Sequence, residues 1–280
     1  TQIEKRKKSE KLLNQKLLDI AFPGYNNLDE EKNETSAYVK ISIEDQNGKI
    51  IRHLNERASK GTHRITWDLR HMFKGSVTDT NKKYNMRGPI VKPGKYSATL
   101  YLVESGSTTK LSEKKSFELK PIYKSTLKGT SFEDYDKYVD DYFEVYNEVE
   151  LIEHKLKTVD EKVKSLKIAI ENTPIETEEL VLDFHNLKKS LLLIKRKVFG
   201  NESKTEIGEK NPPTLFNRIR VASQGLSSSY GPTKLHTESL DMARLMNEEI
   251  KPLIKNLINK GVNSLEDKIK DIGGPVIIED

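Results

Sequence analysis

The sequence predicts an α+β multidomain protein, in which an antiparallel β-sandwich is followed by an up-and-down antiparallel helical bundle. Two patterns carry this prediction. Between residues 37 and 120, apolar and polar residues alternate with a period of two and turn-forming residues separate the runs, which is typical of short antiparallel strands. From residue 131 onward, apolar residues recur every three or four positions, which is the period of amphipathic helices.

The first 36 residues are predicted to be a basic helical connector followed by a loop. Residues 1–20 mix lysines with leucines, and residues 21–36 contain Pro23, Gly24 and several asparagines. A basic amphipathic arm that binds a membrane surface or a polyanion is the alternative for residues 1–20. The composition favours a connector that packs on a neighbouring domain.

The sheet is predicted to lie within residues 37–120. An alternating run at residues 38–44 and a return at 49–54 flank the Asn47-Gly48 turn, which indicates a hairpin. A central strand is expected over residues 61–69, with Trp67, the only tryptophan, in the core of the sandwich. Residues 70–90 form a polar excursion, and another strand follows Pro93-Gly94.

Residues 121–130 are predicted to be a linker, and residues 131–280 a helical bundle that begins with a long helical hairpin. Its first helix carries an unbroken heptad seam and ends at Asn172, before a capping box at 173–176. The seam consists of Tyr135, Tyr138, Tyr142, Val145, Val149, Ile152, Leu156, Val159, Val163, Leu166 and Ile170. The second helix is expected to stop at Gly200.

Two further helices are expected after a polar loop at residues 200–213. The third helix should span about Leu215 to Leu226, and the fourth should start near Pro232. Pro252 should kink the fourth helix because proline lacks a backbone donor, and Gly261 should end it. Residues 264–272 are expected to form a last short helix. Four such helices predict an up-and-down bundle.

Composition excludes several classes of function. Lysine and arginine total 48 against 43 acidic residues, a net charge of +5 that is too small and too dispersed to predict nucleic-acid binding. The absence of cysteine rules out disulfides and thiolate metal sites. No apolar run reaches the roughly 20 residues of a membrane span. The first twenty residues lack a signal-peptide core, and an internal or processed piece of a longer chain is expected.

The sequence contains no motif that predicts catalytic, cofactor-binding or metal-binding residues, and no cofactor is predicted. The six histidines lack metal-ligand spacing, and the Asp45-x-Asn47-Gly48 run is better explained by a hairpin turn than by a calcium loop. Neither a GxSxG nucleophile nor a glycine-rich phosphate loop occurs. A pair of carboxylates for glycoside hydrolysis remains an open alternative, although the acids cluster on presumed helix surfaces.

A candidate interaction surface consists of aromatic and histidine side chains. Tyr138, Tyr142 and Tyr146 lie in or beside the heptad seam, where core or interdomain contact is favoured over sugar stacking. His71 and Tyr84 lie in the polar excursion. With Trp67, that excursion suggests glycan binding as an alternative function.

Three stretches resemble the Ig-like domain of the flagellar hook-capping family. They are IEDQNGKIIRHL at 43–54, KGTHRITWDLR at 60–70 and VKPGKYSATLYL at 91–102. The excursion is longer than in that family's compact pattern. This resemblance implies that the predicted sandwich is Ig-like.

The domain order is similar to the C-terminal region of sortilin-type or BNR-repeat β-propeller proteins. Besides the sandwich and hairpin, this similarity rests on NPPTLFNRI at 211–219 and on SSYGPTK at 228–234. Such proteins are large exported proteins of Bacteroidetes-like bacteria, so the similarity implies export, at the cell surface or in the periplasm, downstream of a propeller.

The function expected on these grounds is that of a non-catalytic adaptor. Its partners would be other domains of the same parent protein or a subunit of a surface complex. A carbohydrate-binding module is the second expectation, and a hydrolase is the third.

Overall fold

The computed structural model describes residues 2–77, 87–104, 106–122, 128–174, 178–228 and 230–277. The chain divides into two compact units. The sheet unit comprises residues 1–73 and 87–124, and the helical unit comprises residues 74–86 and 125–280. The structure confirms the predicted combination of an antiparallel sheet with a set of helices that includes one long helix.

The sheet unit begins with two helices, α1 (Gln2–Gln15) and α2 (Tyr25–Asn33). The prediction of a loop over residues 21–36 is therefore wrong where α2 forms. Arg6 of α1 donates hydrogen bonds to both carboxylate oxygens of Glu31, at 2.7 Å, and Glu31 is buried. This contact joins residues 25 positions apart, so local sequence could not reveal what holds α2 in place.

Five strands form one antiparallel sheet, and its middle strand is the third in sequence. The strands are β1 (Tyr38–Asp45), β2 (Ile50–Arg57), β3 (Gly94–Glu104), β4 (Ser107–Lys110) and β5 (Lys115–Leu119). The order is β2-β1-β3-β4, and β5 also pairs with β3. Because the described strands all belong to this sheet, the predicted Ig-like sandwich is not confirmed.

The expected central strand over residues 61–69 is not a strand. The only bridge near it joins Arg70 to Ile90 among the described residues, and Leu69 has a positive φ of 56° that interrupts extended structure. Trp67 nevertheless packs edge-to-face on Tyr96 of β3, with ring centroids 5.7 Å apart. The alternating pattern therefore predicted that Trp67 packs against the sheet, but neither its backbone pairing nor the exposure of His63 and Leu69.

The helical hairpin has the predicted form. Helix α3 (Phe132–Glu171) has 40 residues, about 60 Å at 1.5 Å per residue, and its N-cap Ser131 accepts a hydrogen bond from the backbone N–H of Asp134. Helix α4 (Glu178–Phe199) follows. Of the capping box expected between them, residues 175–176 lie outside the described residues.

The remaining helices differ from the prediction at two places. The expected loop at 200–213 contains a short helix, α5 (Glu202–Glu206), before α6 (Leu215–Gln224). The fourth predicted helix was expected to end at Gly261, but the helical chain continues through this residue. Helix α7 (Lys234–Asn256) is followed directly by a π-helical segment (Leu257–Asn263) and then by α8 (Ser264–Asp271).

The helices form three legs rather than four alternating ones. Lys195 of α4 contacts Asp160 of α3, and Tyr138 near the start of α3 contacts Ala222 of α6. From α4 to α6 the chain advances, whereas the residues that it contacts on α3 lie progressively nearer the N-terminus of that helix. Helices α4 and α6 therefore both run antiparallel to α3 and point in the same direction. Together they make one leg, interrupted at residues 200–214. Helix α7, the π segment and α8 form the third leg.

Candidate functional site

The candidate site is an open groove of about 970 Å³ in the helical unit, between α4 and the leg formed by α7, the π segment and α8. Its floor and walls are mainly aliphatic. The apolar lining consists of Leu187, Leu193, Ile194, Met246, Leu253, Leu257 and Leu265. The volume is near the upper end of the roughly 300–1,000 Å³ typical of ligand sites.

The α4 wall is a stripe of residues at helical spacing. Asn186, Ser190, Leu193 and Lys197 are separated by four, three and four positions, so they lie on one face of the helix. Leu193 is 52% exposed, although it belongs to an aliphatic wall. Its exposure shows that the groove is open to solvent on this side.

The opposite wall is formed by the third leg. Met246 and Leu253 are seven positions apart, and Leu253 is 38% exposed. At Gly261 the two walls approach each other closely, since a Cβ placed on this residue would lie 2.7 Å from Cδ1 of the buried Leu187. Gly261 lies in the π segment, and π-helical turns are frequent at functional sites.

The loop that interrupts the middle leg contributes Pro212, Pro213 and Thr214 to the groove. Asn211 holds this loop in place: its Oδ1 accepts a hydrogen bond from the Asn201 backbone N–H at 2.9 Å, and its Nδ2 donates to the Asn201 carbonyl at 3.2 Å. Thr214 is buried and caps α6. This part of the groove is therefore built on a hydrogen-bonded loop.

The rim of the groove carries more positive than negative charge. Arg196, Lys197 and Lys260 line it, whereas Asp183 is the lining acid and is bound by Lys268 at 2.6 Å. Lys197 lies 3.8 Å from Glu249, and both side chains are more than half exposed, so this pair is weak. Within the described ranges, Arg196 and Lys260 have no ion pair.

The mainly aliphatic lining with a few polar and charged side chains is typical of a binding site. No group of three or more histidine or acidic side chains that could hold a metal ion occurs in the part of the chain that the structure describes. The described helices include none long and apolar enough to span a membrane. Burial, followed by the nearby Glu150, raises the pKa of Glu153, but neither acid lines the groove.

The three tyrosines of the candidate interaction surface lie along α3, outside the groove. Tyr138 and Tyr142 are buried, and the Tyr138 hydroxyl donates to the Ala222 carbonyl at 2.7 Å. Tyr146 is half-buried and stacks on Tyr142, with ring centroids 5.6 Å apart. Burial raises the pKa of all three hydroxyls, which stay neutral at physiological pH. Their role in partner contact stays a prediction.

The other two candidate residues are His71 and Tyr84. His71 is half-buried in the sheet unit, where its carbonyl accepts a hydrogen bond from Arg52 Nη1 at 3.0 Å. Tyr84 lies outside the described residues. Trp67 is half-buried and its Nε1 donates to the Arg70 carbonyl at 2.9 Å, so the indole has a packing role, and glycan binding stays a prediction.

Sequence reasoning missed the groove. Its walls come from α4 and from a leg some 60 residues further along the chain, so no local motif marks it. One signal was available in the Leu191-Leu192-Leu193 run, because a helix that buries Leu191 in its seam leaves the next two leucines outside it. Only their neighbours in space show that Leu193 lines the groove and Leu192 does not.

Comparisons with known proteins give no relative: no family model matches the chain, and neither a curated protein nor a solved structure matches it.

Proposed function

We propose that the protein is a non-catalytic docking module of a larger exported bacterial protein, and that its helical unit binds another protein through the groove between α4 and the third leg. The sheet unit would act as an adaptor of the Ig-like kind. The observation that carries the proposal is the exposure of aliphatic side chains on both walls of the groove, since exposed apolar surface lined by polar residues is typical of interaction sites.

The groove also has the rigidity that a docking site needs. Its walls are built on helices whose other faces are anchored in the core, as shown by Leu191 on α4 and Ile250 on α7. A preformed surface loses little conformational entropy when its partner binds, so more of the contact energy appears as affinity.

The identity of the partner is proposed from the sequence resemblance. A domain order similar to the region after a propeller suggests another domain of the same parent protein, or a subunit of a surface complex. Export to the cell surface or periplasm is part of the same proposal.

Site-specific cross-linking tests this function. A photoreactive amino acid at position 193 of the full-length parent protein should cross-link the groove to a discrete partner or domain, whereas the same group at position 192 should not. Leu192 and Leu193 are similarly exposed, at 49% and 52%, which makes them a matched pair. Equal cross-linking from both positions, or none from position 193, would refute docking through the groove.

A further inference from the structure

We infer that the occupant of the groove is an amphipathic helix that carries acidic residues beside its apolar stripe. This inference rests on the proposed docking function and adds the chemistry of the partner. It follows from the spacing of the lining residues, from their exposure and from the distribution of charge along the groove.

A helix fits the groove better than a small enclosed ligand. The two walls carry side chains at heptad spacing on neighbouring antiparallel helices: Leu193 and Lys197 on α4, and Met246 and Leu253 on α7. A third helix can pack between two such stripes when one side of them is open to solvent. Because Leu193 and Leu253 remain exposed, an occupant would keep its outer face in water, as an amphipathic helix does.

Apolar side chains line the groove along its whole length. Lys197 approaches Glu249, and Gly261 approaches Leu187, which fixes the antiparallel alignment of the walls. By this alignment Leu193 lies opposite Leu253, between those two points. A complementary helix would therefore present a continuous aliphatic stripe to the groove.

Positive charge lies at two places along this apolar lining. Arg196 and Lys197 lie near Glu249, and Lys260 lies near Leu187. Arg196 and Lys260 have no ion pair among the described side chains, so each can donate hydrogen bonds to an incoming carboxylate without losing a partner. An occupant with acids beside its apolar stripe, at the positions that face these cations, matches this pattern, and a basic one is repelled.

A displayed library of helical peptides tests the inference with the full 280-residue chain as bait. Each peptide carries leucines at positions i, i+3, i+4 and i+7, and its flanking positions are random. Selection should enrich aspartate and glutamate at the random positions that flank the leucine stripe.

A selected peptide should bind about tenfold more weakly to the chain with R196E and K260E, and binding should weaken as the salt concentration rises. The exposure of both side chains keeps the fold intact in these variants.

Variants of the apolar walls separate the inference from the proposed function. L193S with L253S should abolish binding, whereas the matched change L192S should leave it unchanged. If the wall variants abolish binding but the selected flanks are basic or random, docking stands and the acidic occupant is wrong. If no peptide is enriched above the L193S/L253S chain, both are wrong. If the chain instead self-associates and L193S separates the copies, the occupant is a second copy and the inference falls.

Discussion

The close approach of Gly261 to Leu187 gives a quantitative test of the structure, because G261A changes two terms of opposite sign. Alanine is preferred over glycine in helices by about 1 kcal/mol, so the substitution would stabilise an open helical position. Here the added Cβ would lie 2.7 Å from Leu187 Cδ1, well inside the roughly 3.5–4.0 Å of ordinary carbon contacts. Leu187 is buried and cannot simply move into solvent.

Overpacking of a core typically costs about 1–3 kcal/mol, so the steric term should exceed the helix preference. We expect G261A to lower the free energy of unfolding of the helical unit by about 1 kcal/mol. In an L187A background the obstructing methyl group is absent, and the same substitution should raise that free energy by about 1 kcal/mol. The resulting coupling of about 2 kcal/mol lies within the range for residues in contact.

Urea unfolding can follow the two units separately. Far-UV circular dichroism reports mainly on the helices, whereas fluorescence reports on Trp67, the only tryptophan, in the sheet unit. G261A should shift the dichroism transition alone. The reasoning fails if G261A is stabilising by itself, or if its effect is equal in the wild-type and L187A backgrounds.

Two further predictions concern the sheet unit. Leu17 follows the C-terminus of α1 with a positive φ of 53° and a side chain 93% exposed, so L17G should raise stability by about 0.5–1 kcal/mol, measured as slower hydrogen exchange in α1. Burial, and then Lys40, lowers the pKa of His53. As the pH is lowered through about 6.5, the unfolded chain therefore binds more protons at this side chain than the folded chain does. The free energy of unfolding should decrease as the pH is lowered through this range. H53Q should flatten this fall in urea titrations followed by Trp67 fluorescence; an unchanged slope would contradict the assignment.

The sequence allowed the long elements to be predicted because their signals are local and repeated. The heptad seam ending at Ile170 defines α3, since many consecutive turns of the helix agree on one buried face. Helix α2 was missed for the opposite reason, because its nine residues depend on the pairing of Glu31 with Arg6 of another helix. A short helix whose stabilising contact is distant leaves little local pattern.

Residues 61–69 show the limit of periodicity as evidence for a strand. Alternation reports which side chains face the core, and Trp67 does pack on Tyr96. Strand pairing also requires partners for the backbone, and Leu69 breaks the extended conformation that would provide them. The alternating pattern could thus predict the packing of Trp67, but it could not predict the hydrogen bonding of its backbone.

The candidate groove lies between two neighbouring antiparallel legs, on the side that α3 leaves open, since no described residue of α3 lines it. Helix α4 ends at Phe199 and α6 begins at Leu215, and the loop between them contributes Pro212, Pro213 and Thr214 to the lining. Because Asn211 fixes the intervening loop through hydrogen bonds, the opening is a stable feature of the fold. A further helix in this groove would cover the exposed side chains of Leu193 and Leu253 on its two walls, which is why a helix is the partner that this geometry favours.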